Sequence, residues 1–423
     1  PLVVPLQQMG VDVVVGGKGE AQQFPGTASL EELMTNDLQG EAMSGATILA
    51  AQLVQRMSSG ELIDVMASSL QGLTLHRNGY GEGRAPIEKV LLEPLSQWFP
   101  GWVHQSLARQ MAWLKALERM CTLRDVRAVV CHNDVEEFTK ALCLFATAHN
   151  IPSVHVPHAV YLDWGHGPLG YDVHDVVSAD WVCCAGWFQA EWYKMRHARK
   201  VAVTGLPQWD MHARLVKERD RALACRRLKL DEHKKVVVYY SSWAQQTAAQ
   251  GFHDGILVAY RALLEIAKVA DWQLVVKTHP HAHQENMDWH GKMAHDMGVA
   301  CLVTDRYLDL AMQAADLCVA YGTSATVMES ALYGTPLVSI AGFADDDAVI
   351  TCGDTPESIG AAITQALSDE WAAEYKERRS RFVEKYAGRV DGNATKRVVE
   401  HIGRLAGYRP QATMLPMGTV AHG

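Results

Sequence analysis

Tyr321-Gly-Thr-Ser-Ala-Thr-Val-Met-Glu-Ser-Ala-Leu-Tyr-Gly-Thr-Pro336 decides how this chain is read. An apolar run, Ala315-Asp-Leu-Cys-Val-Ala320, precedes it, and a second, Leu337-Val-Ser-Ile340, follows it. The pattern predicts strand, small-residue turn, helix, short loop, strand. The turn at Gly322, Thr323 and Ser324 sets backbone N–H groups and two hydroxyls at the start of a helix, where orphan amides and the helix dipole favour an anion. Glu329 follows within the first two helical turns. A phosphate with an attached ribose suits that order, so nucleotide handling is the leading expectation.

Working outward, the same alternation continues on both sides. Upstream, strands are expected over 235–240, 273–277 and 300–303, with helices over 256–269 and 308–315. Downstream, Thr355 caps a helix with Pro356 at its first position, running to 367. A charged helix is expected over 370–386. An earlier series has strands over 11–15, 127–131, 152–156, 181–184 and 200–203, with helices over 1–10 and 138–148. A helical insertion is expected over 41–56 and 103–120, the second helix carrying Leu107, Met111, Leu114 and Leu117 on one face. Residues 73–84 read as a mobile loop between them. Thr204-Gly-Leu-Pro207 closes the first series, and a charged helical link over 214–235 leads to the second. Continuous apolar strands alternating with helices imply parallel sheets covered on both faces. The expected fold is α/β, two Rossmann-like parallel-sheet domains facing a cleft: 1–207, 208–400 and a tail over 401–423. The chain opens at Pro1 without a Met, and the pattern leaves room for a further strand before it.

Composition narrows the functional classes. The 423 residues are 48% apolar and carry a net charge of −9 without a basic block, so bulk charge does not favour nucleic acid or an anionic membrane. No apolar run is long enough for a transmembrane helix, and no secretory signal is present in the sequence given. Nine scattered cysteines, without a Cys-x-x-Cys pair, read as reduced thiols of a cytoplasmic protein.

Four more segments fall at the carboxyl ends of expected strands, where ligands of open parallel sheets bind. In Lys277-Thr-His-Pro-His-Ala-His283, His279 is placed to contact a phosphate and Lys277 to add charge; alternating His279, His281 and His283 keep a metal site as the competitor, although Pro280 interrupts the strand. In Cys131-His-Asn-Asp-Val-Glu-Glu137, Asp134, Glu136 or Glu137 could serve as general base, His132 being a further candidate. Helix capping by Asp134 is the alternative there. His158 ends Val156-Pro-His158, where a packed histidine competes with a functional one. Ser241 and Ser242 follow Tyr239-Tyr240 and either bind phosphate or cap a helix.

With those residues in view, the chain resembles GT-B glycosyltransferases. Within them it looks most like the bacterial surface-polysaccharide group: CMP-sugar sialyl- and Kdo-transferases, CDP-glycerol glycerophosphotransferases and the related UDP-N-acetylglucosamine 2-epimerases. The resemblance rests on Ile151-Pro-Ser-Val-His-Val-Pro-His158, Val203-Thr-Gly-Leu-Pro-Gln-Trp-Asp210, Lys277-Thr-His-Pro280 and Tyr321 to Pro336. It covers 125–345, and the N-terminal third by architecture alone. It implies an inverting, metal-independent transferase without a cofactor, moving a sugar from a CMP- or UDP-linked donor to a hydroxyl of a glycan or glycolipid. By this resemblance His279 contacts donor phosphate or the leaving nucleotide, Thr323 and Ser324 bind phosphate, Glu329 receives the ribose hydroxyls, and Asp134 activates the acceptor. It also implies capsule or lipopolysaccharide biosynthesis, at the inner face of the membrane. A glycerophosphotransferase, an epimerase and a non-catalytic nucleotide-binding protein are the alternatives.

Overall fold

The computed structural model describes residues 2–8, 13–15, 28–29, 112–122, 124–132, 137–157, 160, 178–195, 198–241, 250–278, 284–322, 325–342 and 347–408. The chain divides into two compact units. One comprises Pro1–Pro5, Val130–Val135 and Pro152–Gly423; the other comprises Leu6–Val129 and Glu136–Ile151.

The smaller unit contains β1 (Val14–Val15) paired in parallel with β2 (Ala28–Ser29). Residues 112–122 are helical, continuing past the expected end at Met120. Ala116, Leu117 and Met120 of this stretch pack on Phe145 of α2 (Glu137–Ala148), with Leu114 beside them. The apolar stripe read over 103–120 is therefore a buried face in its described part. The other expected insertion helix, over 41–56, and the loop over 73–84 lie outside the described residues. α1 (Val3–Gln8) straddles the division between the units.

The larger unit carries two sheets. The first has the order β3-β4-β5-β6, formed by β3 (Val129–Cys131), β4 (Ser153–His155), β5 (Trp181–Cys184) and β6 (Lys200–Val203). β5 lies parallel between β4 and β6. α3 (Trp187–Met195) follows β5 and buries Phe188, Trp192 and Tyr193.

The second sheet has six parallel strands in the order β12-β11-β10-β7-β8-β9. They are β7 (Lys235–Tyr240), β8 (Trp272–Lys277), β9 (Cys301–Thr304), β10 (Leu317–Tyr321), β11 (Leu337–Ile340) and β12 (Val349–Cys352). β7 is central, and Val236 to Tyr239 are fully buried, as a continuous Val/Tyr run between two parallel neighbours requires. The chain leaves β7 through α6 (Gln250–Val269) to β8, and through α7 (Gln284–Asp296) to β9. It then returns through α8 (Leu308–Ala314) to β10 on the other side of β7, and through α9 (Ala325–Tyr333) to β11. That reversal between β7 and β10 is the topological switch point of a doubly wound sheet.

Helices cover the second sheet. α6 packs with α10 (Pro356–Ala366), while α8 packs with α5 (Arg221–Arg227). Tyr260, Leu263 and Leu264 of α6 are fully buried, each burial contributing about 2 kcal/mol. α4 (Trp209–Lys217) packs on α9. Two long C-terminal helices, α11 (Asp369–Tyr386) and α12 (Ala394–Leu405), complete the unit. Phe188 of α3 meets Tyr386 at 4.5 Å between ring centroids, so α11 packs against the helix of the first sheet. One core runs without a break from Phe188 and Trp209 through β7 to Tyr386.

Two expected boundaries move. The link over 214–235 is two helices rather than one, because the Asp220 carboxylate accepts from Leu223 N at 2.9 Å and starts α5 anew. The tail expected from 401 begins inside α12, which continues to Leu405. Its N-terminus is capped from far away in sequence: Asp210 accepts from Ala394 N at 2.8 Å and from Thr395 N at 2.7 Å.

Candidate functional site

The carboxyl ends of the second sheet are built by ladder bonds that outlast the strands. Ser241 N donates to Lys277 O, Thr278 N to Thr304 O and Gly322 N to Ile340 O, at 3.0, 2.9 and 2.8 Å. The Gly322 amide therefore belongs to the sheet. The sequence had placed it among the amides offered to an anion; its structural contribution is a φ of 69°, a left-handed turn that glycine adopts without the Cβ penalty. The Gly322 carbonyl is also used, accepting from Ser339 Oγ at 3.0 Å. Ser241 is buried at the end of β7 and Tyr321 ends β10, so these residues flank the switch point directly.

Tyr321 is seated by a missing side chain. A Cβ at Gly255 of α6 would lie 2.0 Å from the Tyr321 hydroxyl. The phenol can lie over the helix only because residue 255 is glycine. Burial pushes its pKa up, and the Asp354 charge adds to this.

Glu329 lies on α9 with its side chain 14% exposed. Its Oε1 is 3.7 Å from Nε2 of His212, which α4 carries into the core. The other ring nitrogen of His212 is 3.2 Å from the Tyr333 hydroxyl, one turn further along α9. Burial holds the Lys277 amine below its ordinary range, while the charges of Asp305 and Glu329 pull it back up. Tyr240 is pushed well above the ordinary phenol range by burial, then by Cys318 and Glu329. Glu329 is thus the acidic neighbour of the buried His212–Tyr333 pair, and its charge is felt at Tyr240 and Lys277. Lys277 directs its ammonium to Thr278 O at 2.5 Å and Asp305 O at 3.0 Å, bracing the ends of β8 and β9. These carbonyl contacts, rather than an outward charge, are what the structure records for it.

α9 is held from behind. Arg219 donates to Tyr333 O at 2.8 Å, to Ala315 O at 2.8 Å and to Gln313 O at 3.1 Å. Arg379 donates to Leu332 O at 2.9 Å and also to Ala331 O. Two guanidiniums therefore satisfy the last carbonyls of α9 and compensate the negative end of its dipole.

Of the residues expected to act, His132, Ser241, Lys277, Gly322 and Glu329 lie among the described ones, His132 exposed just after β3 and the other four at strand ends or on the helix beside the switch point. Asp134, His158, Ser242, His279, Thr323 and Ser324 lie outside them, as do His281 and His283. In sequence Ser242 follows Ser241, His279 follows Thr278, and Thr323 follows Gly322. His212 is the residue the sequence reading passed over. Its signal was there: Trp209, His212 and Ala213 share one buried helical face, and a histidine on such a face needs partners.

No family model matches the chain, and no curated protein matches it. Solved structures do. They include a crystal structure of UDP-N-acetylglucosamine 2-epimerase, 18% identical with a TM-score of 0.48, covering 73% of this chain and 81% of that one. A glycosyltransferase from Rickettsia africae is 13% identical with a TM-score of 0.46, covering 69% of this chain and 80% of that one. The wall teichoic acid polymerase TagF is 12% identical with a TM-score of 0.41, covering 61% and 69%. The α/β build of the chain is established by its own two sheets and the helices between their strands. Among the described residues no helix is long and apolar enough to cross a membrane.

Proposed function

We propose that the chain is a nucleotide-sugar-dependent glycosyltransferase whose donor site lies at the switch point between β7 and β10. The observation that carries this reading is the place of α9. It begins beyond Gly322 at the strand ends, holds Glu329 next to the buried His212, and is anchored by two arginines at its far end. A helix start in that crevice suits the phosphates of a nucleotide, and a carboxylate on the same helix suits its ribose. Thr323 and Ser324 would supply hydroxyls, and Ser241 and Ser242 a second polar edge. The acceptor hydroxyl would attack the anomeric carbon as the bond to the donor phosphate breaks. Its proton would pass to Asp134 or to His158. His279 would stabilise the departing nucleotide, together with the helix dipole. A glycan or glycolipid acceptor and a place at the inner face of the membrane complete the proposal.

Thermal melting with CMP, CDP, UDP and GDP tests it. One nucleotide is expected to stabilise the protein clearly, and Glu329→Ala to weaken that response. Asp134→Asn is expected to keep nucleotide binding and lose transfer. If none of the four raises the melting temperature, the reading is wrong.

A further inference from the structure

We propose that His212 is a positioning residue of this site: it orients the Glu329 carboxylate so that it receives a ribose hydroxyl. The inference rests on the donor reading of Glu329, and extends it to a residue on a different helix.

The geometry sets the roles of the two ring nitrogens. His212 is buried on α4, with Nδ1 3.2 Å from the Tyr333 hydroxyl and Nε2 3.7 Å from Glu329 Oε1. The Tyr333 phenol is raised far above its ordinary range by burial, then by the charges of Asp309 and Glu329. Its hydroxyl lies within hydrogen-bond distance of Nδ1 and can donate to it. A neutral imidazole that accepts at Nδ1 carries its own proton on Nε2, the nitrogen that faces Glu329. Tyr333, His212 and Glu329 thus form a line of polar contacts, 3.2 and 3.7 Å long, that ends on the carboxylate.

An apolar side chain would have packed this position at less cost. The other buried members of α4 are Trp209 and Ala213, and burying an imidazole requires that its polar atoms find partners. Both partners come from α9. His212 gives the Glu329 carboxylate a fixed neighbour on α4, and a carboxylate held in one orientation is what a ribose acceptor requires.

The test measures discrimination between sugars. The full chain is titrated calorimetrically with CMP, CDP, UDP and GDP, and with the 2′-deoxy and 3′-deoxy forms of whichever bind. The parent protein is expected to prefer the ribonucleotide. His212→Ala should cut that preference about threefold, the worth of one polar contact to a carboxylate, with affinity for the deoxy form nearly unchanged. His212→Gln, whose amide nitrogen can stand in for Nε2, should restore most of the preference. Tyr333→Phe should lower it by a smaller factor. Equal loss of affinity for ribo and deoxy forms would mean that His212 is only structural and would overturn the proposal, as would an unchanged preference. Should His212→Ala melt too low to titrate, unchanged preference in both His212→Gln and Tyr333→Phe would overturn it. A parent that binds nucleotide without preferring ribose overturns the assignment of both Glu329 and His212. A parent that binds no nucleotide at all refutes the donor reading itself, and this inference with it.

Discussion

α9 and α12 are anchored from opposite ends by opposite charges. α12 begins with its first amides on the Asp210 carboxylate, so the positive end of its dipole is consumed inside the protein. α9 is held at its last carbonyls by Arg219 and Arg379, and its positive end stands at the switch point. A helix start whose amides already hold a carboxylate, as in α12, is closed to a ligand anion. In one helix the protein stabilises the end that would bind; in the other it stabilises the end that would not. The contrast also separates the sheets, since the described strands of the first sheet run in sequence order and present no reversal.

The largest expected effect comes from removing the anchor of α9. Arg219→Ala removes the guanidinium from three carbonyls, of which Ala315 O keeps Thr335 Oγ1 at 3.5 Å. The loss should be about 3 kcal/mol in urea unfolding, with nucleotide affinity falling as well. Arg219→Lys should recover little, because one ammonium cannot reproduce the fork. Unchanged nucleotide affinity in Arg219→Ala would break the contrast at its functional end.

Two glycines sharpen it next. A Cβ at Gly186 would meet Gly388 N at 2.8 Å and Tyr386 O at 3.0 Å, backbone on both counts. Gly186→Ala should cost about 2 kcal/mol and leave nucleotide affinity intact. Gly255→Ala meets the end of the Tyr321 side chain, which can swing aside. It should cost less stability and yet change nucleotide affinity, because Tyr321 ends β10 at the switch point. Asp210→Ala comes third, at about 1 kcal/mol for a lost helix cap, again without effect on nucleotide. Melting curves with and without the best-binding nucleotide read all three variants. If Gly186→Ala and Gly255→Ala behave alike, the two regions are not functionally distinct.

Legibility in the sequence followed the distance over which each signal acts. β5, β6, β7 and β11 were read to the residue, because their apolar runs are short and continuous and, β6 apart, buried. The start of α10 was equally plain, since Thr355 accepts from Ser358 N only three positions on. α12 was missed because its cap lies 184 positions away at Asp210, while Asn393 beside it makes no side-chain cap. The candidate site divides in the same way. The turn chemistry of Gly322 and the place of Glu329 on its helix are local and could be read. That the Gly322 amide goes to Ile340, the Lys277 amine to Asp305, and Glu329 to His212 depends on tertiary neighbours that no spacing announces.

The smallest effect concerns the turn that leads into α12 and is read through pH. The Asp391 carboxylate accepts from Arg397 at 2.9 and 3.0 Å, from Arg389 at 2.7 Å and from Asn393 N at 3.0 Å. Burial works against its charge, but the Arg397 and Asn393 hydrogen bonds and the two arginine charges hold the carboxyl below its ordinary 3.8. A carboxyl depressed in the folded state adds stability in full above its unfolded pKa and loses it as pH falls through the folded value. Parent and Asp391→Asn should therefore differ by a constant amount, about 1 kcal/mol or less for so exposed a cluster, from neutral pH down to about pH 4. Below that the two unfolding curves should converge. Arg397 keeps Thr204 O as a partner at 2.6 Å in either protein, so the arginine stays in place and the comparison isolates the carboxylate. A difference that widened on acidification would mean that Asp391 is not stabilised in its charged form. The carboxylate anchoring of α12 would then rest on Asp210 alone.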